Sequence, residues 1–126
     1  MRINSAKDLK VYQEAYAPAM EIFEISKRWP PEEKYSLTDQ IRRASRSVCS
    51  NLREAWAKRK YEAHFVSKLS DSDGEQAETQ HWLDTSHACA YIFKDDQDRL
   101  LKKCKDIGRM LGSMMSNPEA FCGQFK

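Results

Sequence analysis

Between Ser36 and Trp56 the apolar residues fall on one helical stripe. Leu37, Ile41, Ala44, Val48, Leu52 and Ala55 recur at spacings of three and four, the pattern of a helix with one buried side. The same segment carries Arg42, Arg43, Arg46 and Arg53. At roughly 100° per residue, Arg42, Arg46 and Arg53 fall within about 40° of one another, well away from the seam. One helix therefore presents a core face and an arginine stripe. Other helices must cover the first, and the second needs a partner.

The chain has 126 residues, a length suited to one domain with a proper core. Charged residues make up 32% while Gly and Pro number four each, which favours helix over sheet. The net charge is only +2, so nucleic-acid binding would have to rest on local clustering of cations. No apolar run approaches the roughly 20 residues of a membrane span. The opening residues, Met1 to Asp8, lack the apolar region of a signal peptide. The expected location is the cytoplasm, with no membrane partner. Cys49, Cys89, Cys104 and Cys122 form no Cys-x-x-Cys pair. They read as buried free thiols in a reducing compartment.

The spacing predicts a first helix over about residues 6–28, capped by Asn4 or Ser5 with Asp8 in its first turn. It carries two apolar stripes. One is Leu9, Tyr12, Tyr16, Ala19, Met20 and Phe23; the other is Val11, Ala15, Ile22 and Ile25. Packing against one core needs only the first. The second is then either a wider contact with neighbouring helices or a subunit interface. Pro18 predicts a bend or a local break. Trp29-Pro30-Pro31 ends the helix, and Pro31 suits the first position of a new turn with Glu32 and Glu33.

Ser36 and Asp39 have capping-box spacing for a second helix over about residues 36–57. Lys58-Arg59-Lys60 follows. Three cations suit the C-terminal dipole of that helix and read as a solvated loop, with phosphate clamping as the alternative. A third helix is expected over about residues 61–91. Its seam begins with Tyr61, Phe65, Val66 and Leu69, then crosses a run from Ser70 to Gln80 with no large apolar side chain. Continued in phase, the seam passes Ser72, Gln76 and Thr79 before Leu83. These read as a small or polar core layer, for which Tyr12 or Tyr16 could supply hydroxyl partners. The competing reading is a break at Gly74. Asp95 is placed to cap a fourth helix over about residues 95–116. Its seam is Leu100, Leu101, Cys104, Ile107, Leu111, Met114 and Met115, and Asn117-Pro118 stops it. Residues 1–116 thus predict an all-α, antiparallel, up-down-up-down four-helix bundle. Residues 117–126, with Phe121 and Phe125, form a tail that docks or frays.

Several blocks of this chain are similar to a known family. They are Asp8-Leu9-Lys10-Val11-Tyr12, the run from Tyr35 to Ala44, the run from Ser47 to Ala55, Glu78-Thr79-Gln80 and Ile107-Gly108-Arg109-Met110-Leu111. The chain resembles the four-helix-bundle proteins encoded in intervening sequences of large-subunit ribosomal RNA genes. Their relatives include the accessory variability proteins of diversity-generating retroelements. Leu37 to Arg43 is the most specific block, and the resemblance runs to about Ser116. It implies a four-helix bundle, assembly as a homopentamer and no enzyme activity. For the retroelement relatives it implies binding to a reverse transcriptase and to nucleic acid through basic surface. Arg53 and Ala55 depart from the Asn-Ile-Ala-Glu-Gly pattern usual in the family.

Catalytic constellations are sparse. Glu78 with His81, and Asp84 with His87, have the Glu-x-x-His-like spacing by which ferritin-like bundles hold di-iron centres. That chemistry needs the pairs on two helices, whereas both lie on one, turned about 120° apart. Cys49 and His64 lack a third partner, and no phosphate-binding glycine loop or nucleophile elbow occurs. The reading is a non-enzyme with no metal or cofactor, a di-iron-type metalloprotein being a remote alternative.

Charge, by contrast, is segregated. From Arg42 to Lys60 seven basic residues face one acidic residue, Glu54. From Asp71 to Asp84 there are five acidic residues and no Lys or Arg. Two readings follow. In one, Arg42, Arg43, Arg46, Arg53, Lys58, Arg59 and Lys60 neutralise the phosphates of RNA or DNA, or dock a nucleic-acid enzyme. In the other, the arginines pair with the acidic third helix inside a purely structural oligomer. The expected function is a homo-oligomeric accessory or scaffold protein.

Overall fold

A computed structural model describes residues 3–123 of the chain. Every regular element among them is helical: α1 (Lys10–Ser26), α2 (Asp39–Ala57), α3 (Glu62–Ala88), α4 (Lys94–Ser116) and a single closing turn, α5 (Glu119–Cys122). α1 packs on α2 and α4, α2 on α3, and α3 on α4. Two apolar clusters show the helix directions. One joins the start of α1 (Val11, Ala15), the end of α2 (Leu52, Ala55), the start of α3 (Phe65, Leu69) and the end of α4 (Leu111, Met114). The other joins the opposite ends through Ile22, Ile41, Leu83 and Leu100. The helices therefore run alternately up and down. The α2 seam is the spine of both clusters, with no member more than 3% exposed. Among the described residues no helix is long and apolar enough to cross a membrane.

Between the clusters α3 runs unbroken through Gly74 and buries Ser72, Gln76 and Thr79. The polar layer is satisfied locally. Ser72 Oγ donates to the Val48 carbonyl at 2.8 Å, tying α3 to α2. Thr79 Oγ1 donates to the Glu75 carbonyl at 2.9 Å. Gln76 Nε2 donates to Asp73 at 2.8 Å, and Gln76 Oε1 accepts from Gln80 at 2.7 Å. The tyrosines of the first helix take no part: Tyr16 is exposed and the Tyr12 hydroxyl accepts from Arg53. Gly108 of α4 lies against this layer. A Cβ built there would meet Gln76 Nε2 at 2.9 Å, so the missing side chain lets α3 and α4 approach.

The first helix is rotated relative to the simplest sequence reading. Val11, Ala15 and Ile22 are buried and Ile25 is half-buried, so the supposed second stripe is the core stripe. The supposed first stripe divides: Leu9 and Ala19 are buried, Tyr12 and Phe23 half-buried, Tyr16 and Met20 exposed. The inward side uses small and branched residues, which let α1 lie close to its neighbours. The tyrosines keep their hydroxyls toward water or a polar partner. α1 continues through a buried Pro18 without a break.

Helix ends also differ in detail from the expected boundaries. The Asp8 carboxylate accepts the Asn4 and Ser5 backbone N–H groups at 2.8 and 3.1 Å. It closes only a 3-10 turn, Ala6–Asp8, because Leu9 is extended (ψ 129°). Pro31 opens a 3-10 turn, Pro31–Glu33, as expected, and a wide π-helical turn, Lys34–Thr38, leads into α2. Ser36 sits inside that turn and caps nothing. α3 stops at Ala88 rather than at Tyr91. Ala90 takes a left-handed conformation (φ 65°), the Ala90 N–H bonds the His87 carbonyl and the Tyr91 N–H bonds the Ser86 carbonyl, each at 2.9 Å. That is a Schellman ending. Phe93, not Asp95, holds the cap position of α4, and Asp95 lies in the first turn.

Residues 119–122 pack on the bundle. Cys122 is buried in the first cluster and the Phe121 ring lies 5.7 Å from that of Phe65. Phe125 lies outside the described residues, as do Met1 and Arg2. Three cysteines are buried as expected, but Cys89 is exposed. Burial pushes the Cys49 thiol up to about 11 and that of Cys104 up to about 12.

Candidate functional site

The seven cations singled out by sequence point in three directions. Arg43 turns toward α3, donating to Glu75 at 3.1 Å and to Glu78. Glu78 also accepts the Trp82 indole N–H at 3.0 Å. These bonds, Trp82's first and then Arg43's, hold the Glu78 carboxyl below its usual range. Arg42 turns the other way. Its Nε donates to Ser26 Oγ at 2.8 Å and its Nη2 to the Phe23 carbonyl at 3.4 Å, with the guanidinium 4.8 Å from the Phe23 ring centre. It thereby satisfies the last turn of α1, where a cation also suits the helix dipole.

At the end of α2, Arg59 lies over Trp56, 3.5 Å from the ring centre, and donates to its carbonyl at 2.9 Å. Burial pulls the Arg59 guanidinium below its ordinary value. Lys58 and Lys60 are exposed, the Lys60 ammonium 5.8 Å from the Tyr61 ring centre.

Arg46 and Arg53 flank a groove between α1 and α2. Arg46 sits 5.3 Å from the Phe23 ring centre and Arg53 5.4 Å from that of Tyr12. Arg53 Nε also donates to the Tyr12 hydroxyl at 3.2 Å. Among the described residues neither is paired with a carboxylate. Between them runs a groove of about 330 Å³, walled by Tyr12, Tyr16, Ala19 and Met20 of α1 and floored by Cys49 and Ser50 of α2. Tyr16 is 51% and Met20 44% exposed. Tyr12 and Tyr16 stack with ring centres 6.0 Å apart. Beyond them the surface opens into a second hollow of about 570 Å³ bordered by Lys7, Gln13 and Ala17. Tyrosine, methionine and arginine are among the side chains enriched in binding surfaces. The one thiol present, Cys49, is protonated at neutral pH because burial raises it.

The model of the 23S rRNA-intervening sequence protein family matches residues 7–113. The chain belongs to that family. A solved structure also superimposes on it, with a TM-score of 0.76 and 26% identity over 84% of this chain and 95% of the other. That structure is a protein of unknown function from the S23 ribosomal protein family of Bacteroides thetaiotaomicron. No curated protein matches the sequence.

In this 23S rRNA-intervening sequence protein the carboxylates of the two acidic–histidine pairs of α3 are engaged elsewhere. Glu78 is held by Arg43 and Trp82, and the exposed His81 ring packs edge-on against Trp82 at 4.7 Å. Asp84 accepts a bond from Gln97 of α4 at 2.9 Å. His64 lies 5.6 Å from the Tyr61 ring centre. Among the described residues no three His, Cys, Asp or Glu side chains converge as a ligand set. Sequence reasoning missed Tyr16 and Met20 as surface residues, having placed them in the core. A signal was available: tyrosines carry a polar tip that favours an edge or surface position.

Proposed function

We propose that this 23S rRNA-intervening sequence protein is a non-catalytic, homo-oligomeric accessory or scaffold protein of the cytoplasm. Its subunits join through the α1–α2 groove, and the assembly is a pentamer, as the family resemblance implies. The supporting observation is the open face of Tyr16 and Met20 flanked by Arg46 and Arg53, which have no carboxylate among the described residues. An exposed patch of this kind marks an interaction site. The test is light scattering on the purified chain and on Met20→Glu, with circular dichroism to verify folding. The wild type should be multimeric and the variant monomeric. A monomeric wild type, or a variant with wild-type mass, overturns the reading.

A second reading has its own support. Guanidinium groups lying beside Tyr12 and Phe23 resemble surfaces that stack and neutralise single-stranded nucleic acid. RNA or DNA, or a nucleic-acid enzyme such as a reverse transcriptase, would then be the partner, with Lys58 and Lys60 extending the basic surface. Binding should fall steeply between low and high salt. Among the described residues the structural alternative, arginines consumed in salt bridges, describes Arg43 but not Arg46 or Arg53.

A further inference from the structure

The groove on α1 and α2 is largely apolar along its α1 wall and cationic at its edges. A second copy facing it groove to groove would set Arg46 and Arg53 against their own equivalents, which like-charge repulsion opposes. The occupant should therefore be an unlike surface: an apolar knob beside a free carboxylate. The chain carries both within one turn, two residues apart in sequence. Phe93, in the turn between α3 and α4, is 82% exposed. Two residues on, Asp95 is exposed and makes no ion pair or side-chain hydrogen bond among the described residues. The neighbouring acids are occupied: Asp96 pairs with Arg99 and Asp98 with Lys94.

Position supports the match. Ile92, next to Phe93, belongs to the cluster of Trp29 and Leu37, at one end of the bundle. Cys49 and Tyr12, in the groove, belong with the cluster at the other end. A chain cannot bring its own Phe93 to its own groove, but a second copy can.

We infer that the Phe93–Asp95 turn of one copy docks in the α1–α2 groove of another, with the Phe93 ring between Tyr16 and Met20 and Asp95 on Arg46 or Arg53. This rests on the self-association proposed above and names the surface that fills the groove. The contact is between unlike patches, the type that builds rings.

The experiment is complementation between two surface variants, Phe93→Asp (knob lost, groove intact) and Met20→Glu (groove lost, knob intact). Each alone should be monomeric by light scattering. Mixed in equal amounts they should form a one-to-one heterodimer, because one intact knob and one intact groove remain. Asp95→Arg should weaken association of the otherwise unchanged chain by roughly tenfold or more, the scale of losing one charge pair at an interface. If Phe93→Asp keeps the wild-type mass while Met20→Glu is monomeric, another surface fills the groove and this inference fails while the self-association reading stands. Two monomeric variants that do not combine overturn it equally. If Met20→Glu keeps the wild-type mass, the groove is not the interface and both fail.

Discussion

Arg42 of α2 donates through Nε to Ser26 Oγ, the last residue of α1, at 2.8 Å. Ser26 is 2% exposed and donates its own O–H to the Phe23 carbonyl at 3.1 Å. The first residue of the arginine stripe therefore closes a helix end, while Arg46, one turn on, leans over Phe23 with no carboxylate partner among the described residues.

The two arginines should respond differently to truncation. Arg42→Ala removes charged hydrogen bonds to a buried hydroxyl and a carbonyl, and should cost about 2 kcal/mol of stability in urea denaturation. Arg46→Ala, measured in the monomeric Met20→Glu background, should stay within about 0.5 kcal/mol, as expected of a surface site.

Glycines at two sites should part in the same way. Gly74 lies in the interior of α3 with nothing within 4 Å of a built Cβ. Gly74→Ala should raise stability by about 1 kcal/mol, the helix-propensity difference. Gly108→Ala should not share that gain, because its Cβ meets Gln76 Nε2 at 2.9 Å and disturbs the bond to Asp73. Thermal melts of both variants give the comparison.

Ala90 carries the strain of a left-handed residue at the end of α3. Glycine adopts that conformation without a clash, so Ala90→Gly should stabilise the fold by about 1 kcal/mol. Denaturation midpoints at constant m value would show it.

Acid should act through Glu78. Its folded carboxyl is held below its usual range by Trp82 and Arg43, against about 4.3 when unfolded. A depressed carboxylate contributes stability that is present above the unfolded value and lost as pH falls through the folded value. Glu78→Gln should therefore be less stable than wild type at pH 7. It should also lose less on acidification below about pH 4, in denaturation curves across the carboxylate range.

Most of the architecture was legible because it depends on period alone. The α2 seam, the in-phase Ser72–Gln76–Thr79 layer and the α4 seam each keep a 3.6-residue repeat, and a repeat specifies a face whatever packs on it. Helix ends were less legible. The break at Leu9, the π-helical turn before α2 and the Schellman ending at Ala90 come from backbone geometry that no side-chain pattern in those stretches announces.

The sequence by itself determined four amphipathic helices, their order and the charge contrast between α2 and α3. Only the tertiary structure decided which way two ambiguous surfaces turn. α1 offers two apolar stripes of comparable length, and periodicity cannot rank them. The space left by α2 and α4 can, since it admits Val11, Ala15 and Ile22 and leaves Tyr16 and Met20 outside. The arginines follow from that rotation. Arg43 reaches the carboxylates of α3, whereas Arg46 and Arg53 meet aromatic rings, because a side chain's partner is whatever the neighbouring helix presents at that depth.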